Sequence, residues 1–352
     1  MTNPAILIKD RLIGPDHPPY IIAEMSGNHN GDINKAFDIM ISAKSAGADA
    51  IKLQTYTADT ITIDHDTAEF RISDGLWKGL TLFQLYQKAH TPWEWHQALF
   101  AKGRELGITV FSSPFDLTAV DFLEDLNVPA YKIASFEMVD HSLIEKVAST
   151  RKPIILSTGM ANLAEITEAV ETAKNAGCQA LSILHCTSGY PVPPEEANLR
   201  TLSDLANKFP GNVIGLSDHT LGTAISTASV ALGASIIEKH ITLSRDDGGP
   251  DSAFSLEPSE LSELTKTCKM VWSSLGKADY ERKPSEAKNV IFRRSLYIVE
   301  DIKPGEHFTD KNLRSIRPGY GLQPKYLSSI LGKKSRQGIK RGTALSWSMV
   351  DN

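Results

Sequence analysis

Eight short runs rich in Ile, Val, Leu and Tyr recur through the first 245 residues, at 20–25, 50–56, 108–115, 130–135, 153–160, 181–188, 213–220 and 235–242. Their length and near-continuous apolar character are those of strands buried on both faces, as in a parallel sheet. Between them the period changes. NKAFDIMISAKSAG (34–47) and NLAEITEAVETAKNAG (162–177) carry apolar residues every three or four positions, open on Asn and close on Gly, which predicts capped helices. Strand and helix alternating eight times, at a spacing of roughly 20 to 30 residues, predict an α/β fold, a closed (β/α)8 TIM barrel rather than an open sheet.

Two stretches break the repeat. Residues 57–107, with Trp77, Trp93 and Trp95, are too many for a plain loop and predict extra structure over the barrel mouth, a lid or substrate-facing insertion. For each tryptophan the alternative is packing that only buttresses the barrel. After the eighth run, Leu261, Leu264, Cys268, Val271 and Leu275 fall at helical spacing between Pro258 and Gly276, which predicts the last barrel helix. A charged segment follows, so the chain is expected to divide into a barrel domain at 1–280, a linker at 281–291 and a small mixed domain at 292–352. In the small domain a strand, a Pro-Gly turn and a short Asp-capped helix are expected to alternate.

Charge supports that division. The formal net charge of −5 conceals 15 Lys+Arg against 6 Asp+Glu in residues 282–352, a balance of +9 that leaves −14 for residues 1–281. The basic tail has scattered charges and no nucleic-acid-binding module, so a face complementary to the acidic barrel is expected rather than a nucleic-acid partner. The absence of any run of 18 apolar residues, and of a secretory signal in MTNPAILIKDRL, predicts neither a membrane partner nor export. Three cysteines with no CxxC pair fit a reducing compartment, and the expected location is the cytoplasm.

In a barrel of this kind, chemistry gathers where the strands end. Polar residues fall there in every run: Glu24; Lys52 and Gln54; Ser112 and Ser113; Lys132, Ser135 and Glu137; Ser157; His185 and Ser188 to Tyr190; Ser217 to His219; Glu238 to His240. One shared polar site follows. Lys52 and Lys132 interrupt apolar runs, where an ammonium needs an anionic partner. With the hydroxyls of Ser113, Ser135, Ser157 and Ser217 they describe a phosphate or carboxylate cradle; the alternative is an internal ion pair to Glu24 or Glu137. His219 and His240 close neighbouring strands about 4.8 Å apart, within reach of one metal ion, and either alone reads as a core histidine. Two imidazoles with carboxylate or water ligands suit Mn²⁺, Co²⁺, Fe²⁺ or an open Zn²⁺ site. Cys186 and His185 point to opposite faces, which argues against thiol catalysis. Asp251, in the turn DDGGPD, is read either as a substrate contact or as a solvated turn residue.

The motifs IIAEMSGNHNGD (21–32), GADAIKLQTY (47–56), FSSPFD (111–116), YKIASFE (131–137), ILSTGM (155–160), LHCTSGYP (184–191), GLSDHT (215–220), EKHIT (238–242), GGPDSAFSL (248–256) and RPGYG (317–321) resemble the sialic acid synthase family along nearly the whole chain. Within it, EMSGNHN, SFE and the segment 74–95 are most similar to the branch whose sugar is a 6-deoxy hexose with two acetamido groups. Ser188 and Gly189 replace the Asn pattern common in the neuraminate branch. The resemblance implies condensation of phosphoenolpyruvate with an amino sugar, giving a nine-carbon 2-keto acid and phosphate with a divalent metal ion, Mn²⁺ first and Mg²⁺ or Co²⁺ as alternatives. It also implies a C-terminal antifreeze-like (SAF) domain that covers the partner's site in a domain-swapped homodimer.

Carried over residue by residue, the resemblance puts the metal on His219 and His240 and phosphoenolpyruvate on Lys52, Ser113, Lys132, Ser135, Ser157 and Ser217. It puts the sugar on Glu24, Gln54, Glu137, Tyr190 and Asp251, beside Ser188, with Arg317 supplied by the other subunit. Glu24, Lys52 and Lys132 are the expected catalytic residues, Glu24 as the proton-transfer group. The alternative within the family is the neuraminate or legionaminate branch, using another amino sugar; competing functions outside it are a synthase of a seven- or eight-carbon keto acid phosphate, for which no obvious additional Arg pair is present, and a carbohydrate- or ice-binding protein, which would need no metal pair.

Overall fold

The computed structural model describes residues 3–351. A short antiparallel hairpin, β1 (Ile6–Ile8) and β2 (Arg11–Ile13), precedes eight parallel strands: β3 (Tyr20–Glu24), β4 (Ala50–Thr55), β5 (Thr109–Pro114), β6 (Tyr131–Ile133), β7 (Ile154–Ser157), β8 (Leu181–Cys186), β9 (Val213–Asp218) and β10 (Ile236–His240). These eight close into a barrel in chain order, with β10 paired to β3. Every expected run forms a strand. Each strand ends before its run does, because the last residues turn outward into the βα loops that build the site.

Alternation of side chains along a strand divides the barrel into an outside and a stacked inside. Outward residues such as Ile21, Ile51, Val110, Ile183 and Ile237 join the helices in the main core. Inward residues fill two kinds of layer. The lower one is apolar (Tyr20, Ile22, Ala50, Phe111, Ile155, Leu184, Val213 and Ile236), and Ile6, Ile8 and Ile13 of the β1–β2 hairpin pack against it from below. One pleat further up, the same strands present Glu24, Lys52, Ser113, Lys132, Ser157, Ser217 and Glu238. The polar groups thus sit directly above an apolar layer.

Local signals place the helices. The first barrel helix is Ile33–Ser45, capped by Asp32 rather than by Asn34: the Asp32 carboxylate accepts from the Asn34 N–H, which puts Asn34 inside the first turn. In Leu163–Asn175 the expected cap holds, with Asn162 and Glu165 forming a reciprocal capping box. The helix Pro258–Leu275 follows β10 and buries Leu261, Leu264 and Cys268, while Leu275 is exposed at its end. The insertion after β4 folds as short helices at Ala58–Ile61 and Leu82–Ala89 with single turns at Ala68–Phe70 and Trp93–Trp95, and the crossover helix His96–Leu106 then returns the chain to β5.

The chain forms two compact units, Met1–Gly276 and Lys277–Asn352. In the second, a 3₁₀-helical run at Pro284–Phe292 occupies the expected linker; β11 (Ser295–Ile298) then pairs antiparallel with β12 (Leu313–Ile316) around Leu296, Ile298, Phe308 and Ile330. The helix expected at Asp310 does not form. Asn312 accepts the Thr309 N–H at 2.8 Å and Leu313 N–H donates to Thr309 at 3.0 Å, so a single turn delivers Leu313 directly into β12. A four-residue helix appears later, at Leu327–Ile330.

Candidate active site

The polar layer opens into a cavity of ≈ 330 Å³ at the carboxyl ends of the strands. On its floor the Lys52 ammonium lies 2.8 Å from Glu24 Oε2 and 3.5 Å from Glu238 Oε1, and Lys132 lies 3.1 Å from the same Glu238 oxygen. Gln54 donates to Glu24 at 2.9 Å and the Ser217 hydroxyl to Glu238 at 3.3 Å. The two lysines therefore have internal partners, Glu24 and Glu238, and not Glu137. Glu238 is the bridging residue. Other donor and acceptor capacity is unspent: Ser157 Oγ, Glu137 Oε2, Glu238 Oε2 and His240 Nδ1 are buried without a hydrogen-bond partner. Each such group costs about 1–3 kcal/mol when left unpaired, so their concentration around one cavity fits a polar ligand.

Burial and charge divide the carboxyl groups. Burial pushes the Glu24 carboxyl up to about 6 against the opposing pull of Lys52. Glu137 is pushed up to about 7 by burial. Burial also disfavours the charged form of Glu238, but Lys132 and Lys52 outweigh it and hold this carboxylate below its usual range. A charged Glu238 beside carboxyls poised near neutrality is the arrangement that separates electrostatic from proton-transfer roles.

Glu137 gives a pH test. Its carboxyl moves from 4.5 to about 7 on folding, so its contribution to stability is full below pH 4.5 and is lost as the pH rises through about 7. Between about pH 5 and about pH 8, Glu137→Gln is expected to gain about 2 kcal/mol of stability relative to the parent chain. Denaturant midpoints at the two pH values measure it; an equal difference at both would show that Glu137 titrates normally.

His240 ends β10 and His219 follows β9, whose register pairs Lys239 with Asp218 immediately before them. The two rings lie 5.4 Å apart. His219 Nδ1 is 3.0 Å from the Thr187 carbonyl, which makes Nδ1–H the donor, so that in the neutral ring Nε2 keeps its lone pair. His240 Nδ1 is 3.6 Å from Asp251, and burial holds this imidazole well below its usual value, hence neutral. Among the described residues no group of three or more His, Cys, Asp or Glu side chains is arranged to hold a metal. Two neighbouring imidazoles, one with a buried unpartnered Nδ1, fit an open divalent site in which substrate or water would fill the other positions.

Above the polar floor the cavity wall is apolar and comes mainly from the insertion: Ile61, Trp77, Leu85 and Ala89, with Tyr86 and Phe115. The Trp77 indole N–H donates to the Pro250 carbonyl at 2.9 Å and its ring lies 5.7 Å from that of Tyr190. The other two tryptophans of the insertion buttress the barrel: Trp93 stacks on Phe122 and Trp95 packs edge-on against His29.

Residues 39–280 match the NeuB family and residues 293–351 the SAF domain. The chain belongs to the NeuB family. It is 43% identical to the pseudaminic acid synthase of Helicobacter pylori over 94% of this chain and 97% of that protein. The same identity is shared with the pseudaminic acid synthase of Campylobacter jejuni, over 94% and 96%. Among solved structures it is similar to the spore coat polysaccharide biosynthesis protein spsE of Bacillus subtilis, with a TM-score of 0.68, 31% identity and 99% of both chains covered.

In this NeuB-family barrel the residues expected at the site converge with few exceptions. Glu24, Lys52, Gln54, Lys132, Ser135, Glu137, Ser157, Tyr190, Ser217, His219, His240 and Asp251 all line the cavity. Ser113 and Ser188 do not. Ser113 is fully buried 3.4 Å from the Lys52 ammonium, which screens it, and Ser188 turns toward Cys186 and packs against Gly159, where any Cβ would collide with its hydroxyl. His185 and Ser112 leave the site as well, facing Ala197 and Thr55 on the outer side of the barrel. Arg317 directly follows β12 of the second unit. Ser26 was missed; its hydroxyl donates to Asp251. No helix among the described residues is long and apolar enough to cross a membrane.

Proposed function

We propose that this chain condenses phosphoenolpyruvate with 2,4-diacetamido-2,4,6-trideoxy-L-altrose to give pseudaminic acid and phosphate. The observation that carries the proposal is the amphipathic cavity: two lysines, two histidines and unpartnered hydroxyl and carboxyl groups below, an apolar wall above. Phosphoenolpyruvate suits the floor, where Lys52, Lys132, Ser135, Ser157 and Ser217 would hold its phosphate and carboxylate. His219 and His240 would hold a divalent ion, Mn²⁺ or alternatively Mg²⁺ or Co²⁺, which when bound supplies Lewis-acid polarisation of the sugar aldehyde.

Carbon 3 of phosphoenolpyruvate forms the new bond to the aldehyde carbon, whose oxygen takes up a proton to become a hydroxyl, and positive charge develops at carbon 2. Water adds there and loses a proton; the bond from carbon 2 to the phosphate oxygen then breaks, phosphate leaves, and the carbon 2 hydroxyl gives up its proton to become the ketone. Glu24, whose Oε1 is held by Gln54, would carry these proton transfers at the sugar oxygen or at the water, since a carboxyl pushed up to about 6 both accepts and returns a proton near neutrality. Lys52 and Lys132 stabilise charge on the departing phosphate.

The sugar assignment rests on the wall. With carbon 1 at the floor, Leu85, Ala89 and Trp77 would offer the far end of the sugar an apolar surface, where a methyl group would lose nothing and a hydroxyl would lose its hydrogen bonds. Phosphate release from phosphoenolpyruvate with and without the sugar tests the reaction: release must require the sugar, and release that is independent of it contradicts the proposal.

The proposal extends to a cytoplasmic homodimer in which Arg317 serves the other copy's site. Its support is the family resemblance and the +9 balance of residues 282–352 against −14 for the rest. Lys132→Ala and Arg317→Ala chains, each inactive alone, should regain part of their activity when mixed and allowed to exchange subunits. Continued inactivity of a proven heterodimer would place Arg317 in cis or outside the reaction.

A further inference from the structure

We infer that Asp218 and Lys239, a buried ion pair on the outer face of the barrel, are positioning residues that set the spacing of His219 and His240. The inference rests on the proposed metal role of the two histidines. Each member of the pair immediately precedes one of those histidines in the chain, and in register they are opposite each other on β9 and β10. Alternation turns them away from the cavity while it turns the next residues toward it.

The contacts form a clasp around His219. Lys239 Nζ donates to Asp218 Oδ2 at 2.9 Å and also to the Thr220 carbonyl, so the residue before His240 holds the residues on both sides of His219. The Thr220 N–H donates to Asp218 Oδ1 at 2.8 Å, and the Ser226 hydroxyl, from the helix Ala224–Ala231, to Asp218 Oδ2 at 2.5 Å. The His219 carbonyl is held from the other side by the Val192 N–H at 3.1 Å. Lys239 and Asp218 side chains are 0% and 2% exposed. Pairs this deeply desolvated add little to stability relative to apolar replacements and are best attested where they fix register. Here the register they fix is that of the two imidazoles.

The double variant Asp218→Asn/Lys239→Met removes both charges together, while the new amide keeps an acceptor oxygen for the Thr220 N–H and can donate to the Ser226 hydroxyl. It is expected to melt cooperatively yet to bind Mn²⁺ alone roughly tenfold or more weakly, as outer-shell changes commonly do, with turnover largely restored at saturating Mn²⁺. Free Mn²⁺ measured by electron paramagnetic resonance gives the affinity independently of activity. An affinity within twofold of the parent's, alongside a lowered melting temperature, would make the pair a fold element only and overturn the inference. Should the double variant not fold, Ser226→Ala, which loses one hydrogen bond to Asp218 and keeps the ion pair, must still weaken Mn²⁺ binding measurably; unchanged binding overturns it equally. A parent chain that takes up no Mn²⁺ would remove the metal reading and this inference with it.

Discussion

Replacing Lys132 with methionine is expected to lower phosphoenolpyruvate affinity by roughly tenfold or more, equivalent to about 1.4 kcal/mol, and turnover by on the order of 10²-fold. Methionine keeps the apolar stem and removes the charge. The ammonium has two duties, because it also neutralises Glu238 at 3.1 Å across the barrel. Breaking a buried pair by removing one partner typically costs about 3–5 kcal/mol, so the single variant should also melt earlier. Lys132→Met/Glu238→Gln separates the duties: stability should return and phosphoenolpyruvate affinity should not. If the double variant recovers affinity or turnover, Lys132 is a structural counter-ion to Glu238. Lys52→Met should behave in parallel through Glu24 and Glu238.

Loss of the metal should be as severe. Chelation is expected to abolish turnover and Mn²⁺ to restore it, and alanine at His219 or His240 should reduce Mn²⁺ binding by roughly the 10–100-fold seen for lesser changes around metal ligands, or more. The barrel should survive both substitutions. His219 Nδ1 faces only the Thr187 carbonyl and the Cys186 thiol, and His240 Nδ1 makes no hydrogen bond. Binding of Mn²⁺ and circular dichroism of the two variants check this; full activity of a verified metal-free chain would exclude a metal role.

The barrel was legible because strands buried on both faces announce themselves as apolar runs, and a polar residue at the end of each marks the site. Direction along a strand was legible too: counting in twos from Lys52 selects Gln54, and the same rule separates His185 from Cys186. The pairing of Lys132 with Glu238 was not, since β6 and β10 lie on opposite sides of the closed barrel and their contact depends on its diameter rather than on any sequence spacing. The tryptophans show the same limit. Composition marks Trp77, Trp93 and Trp95 alike, and only the path of the insertion brings Trp77 to Pro250 while leaving Trp93 on Phe122. Near Asp310, the side chain of Asn312 and the demand of β12 for Leu313 override a local helix signal.

The proposed sugar assignment rests on the apolar wall, and a comparison of two sugars tests it most directly. Rates of product formation would be measured with phosphoenolpyruvate and either 2,4-diacetamido-2,4,6-trideoxy-L-altrose or N-acetylmannosamine, the product being identified by mass. A packing difference of one methyl against one hydroxyl is worth about 1–3 kcal/mol, and more where a polar group is left unpaired. The account predicts kcat/KM at least tenfold higher for the diacetamido trideoxy sugar, with pseudaminic acid as the product; an equal or higher kcat/KM with N-acetylmannosamine would contradict it.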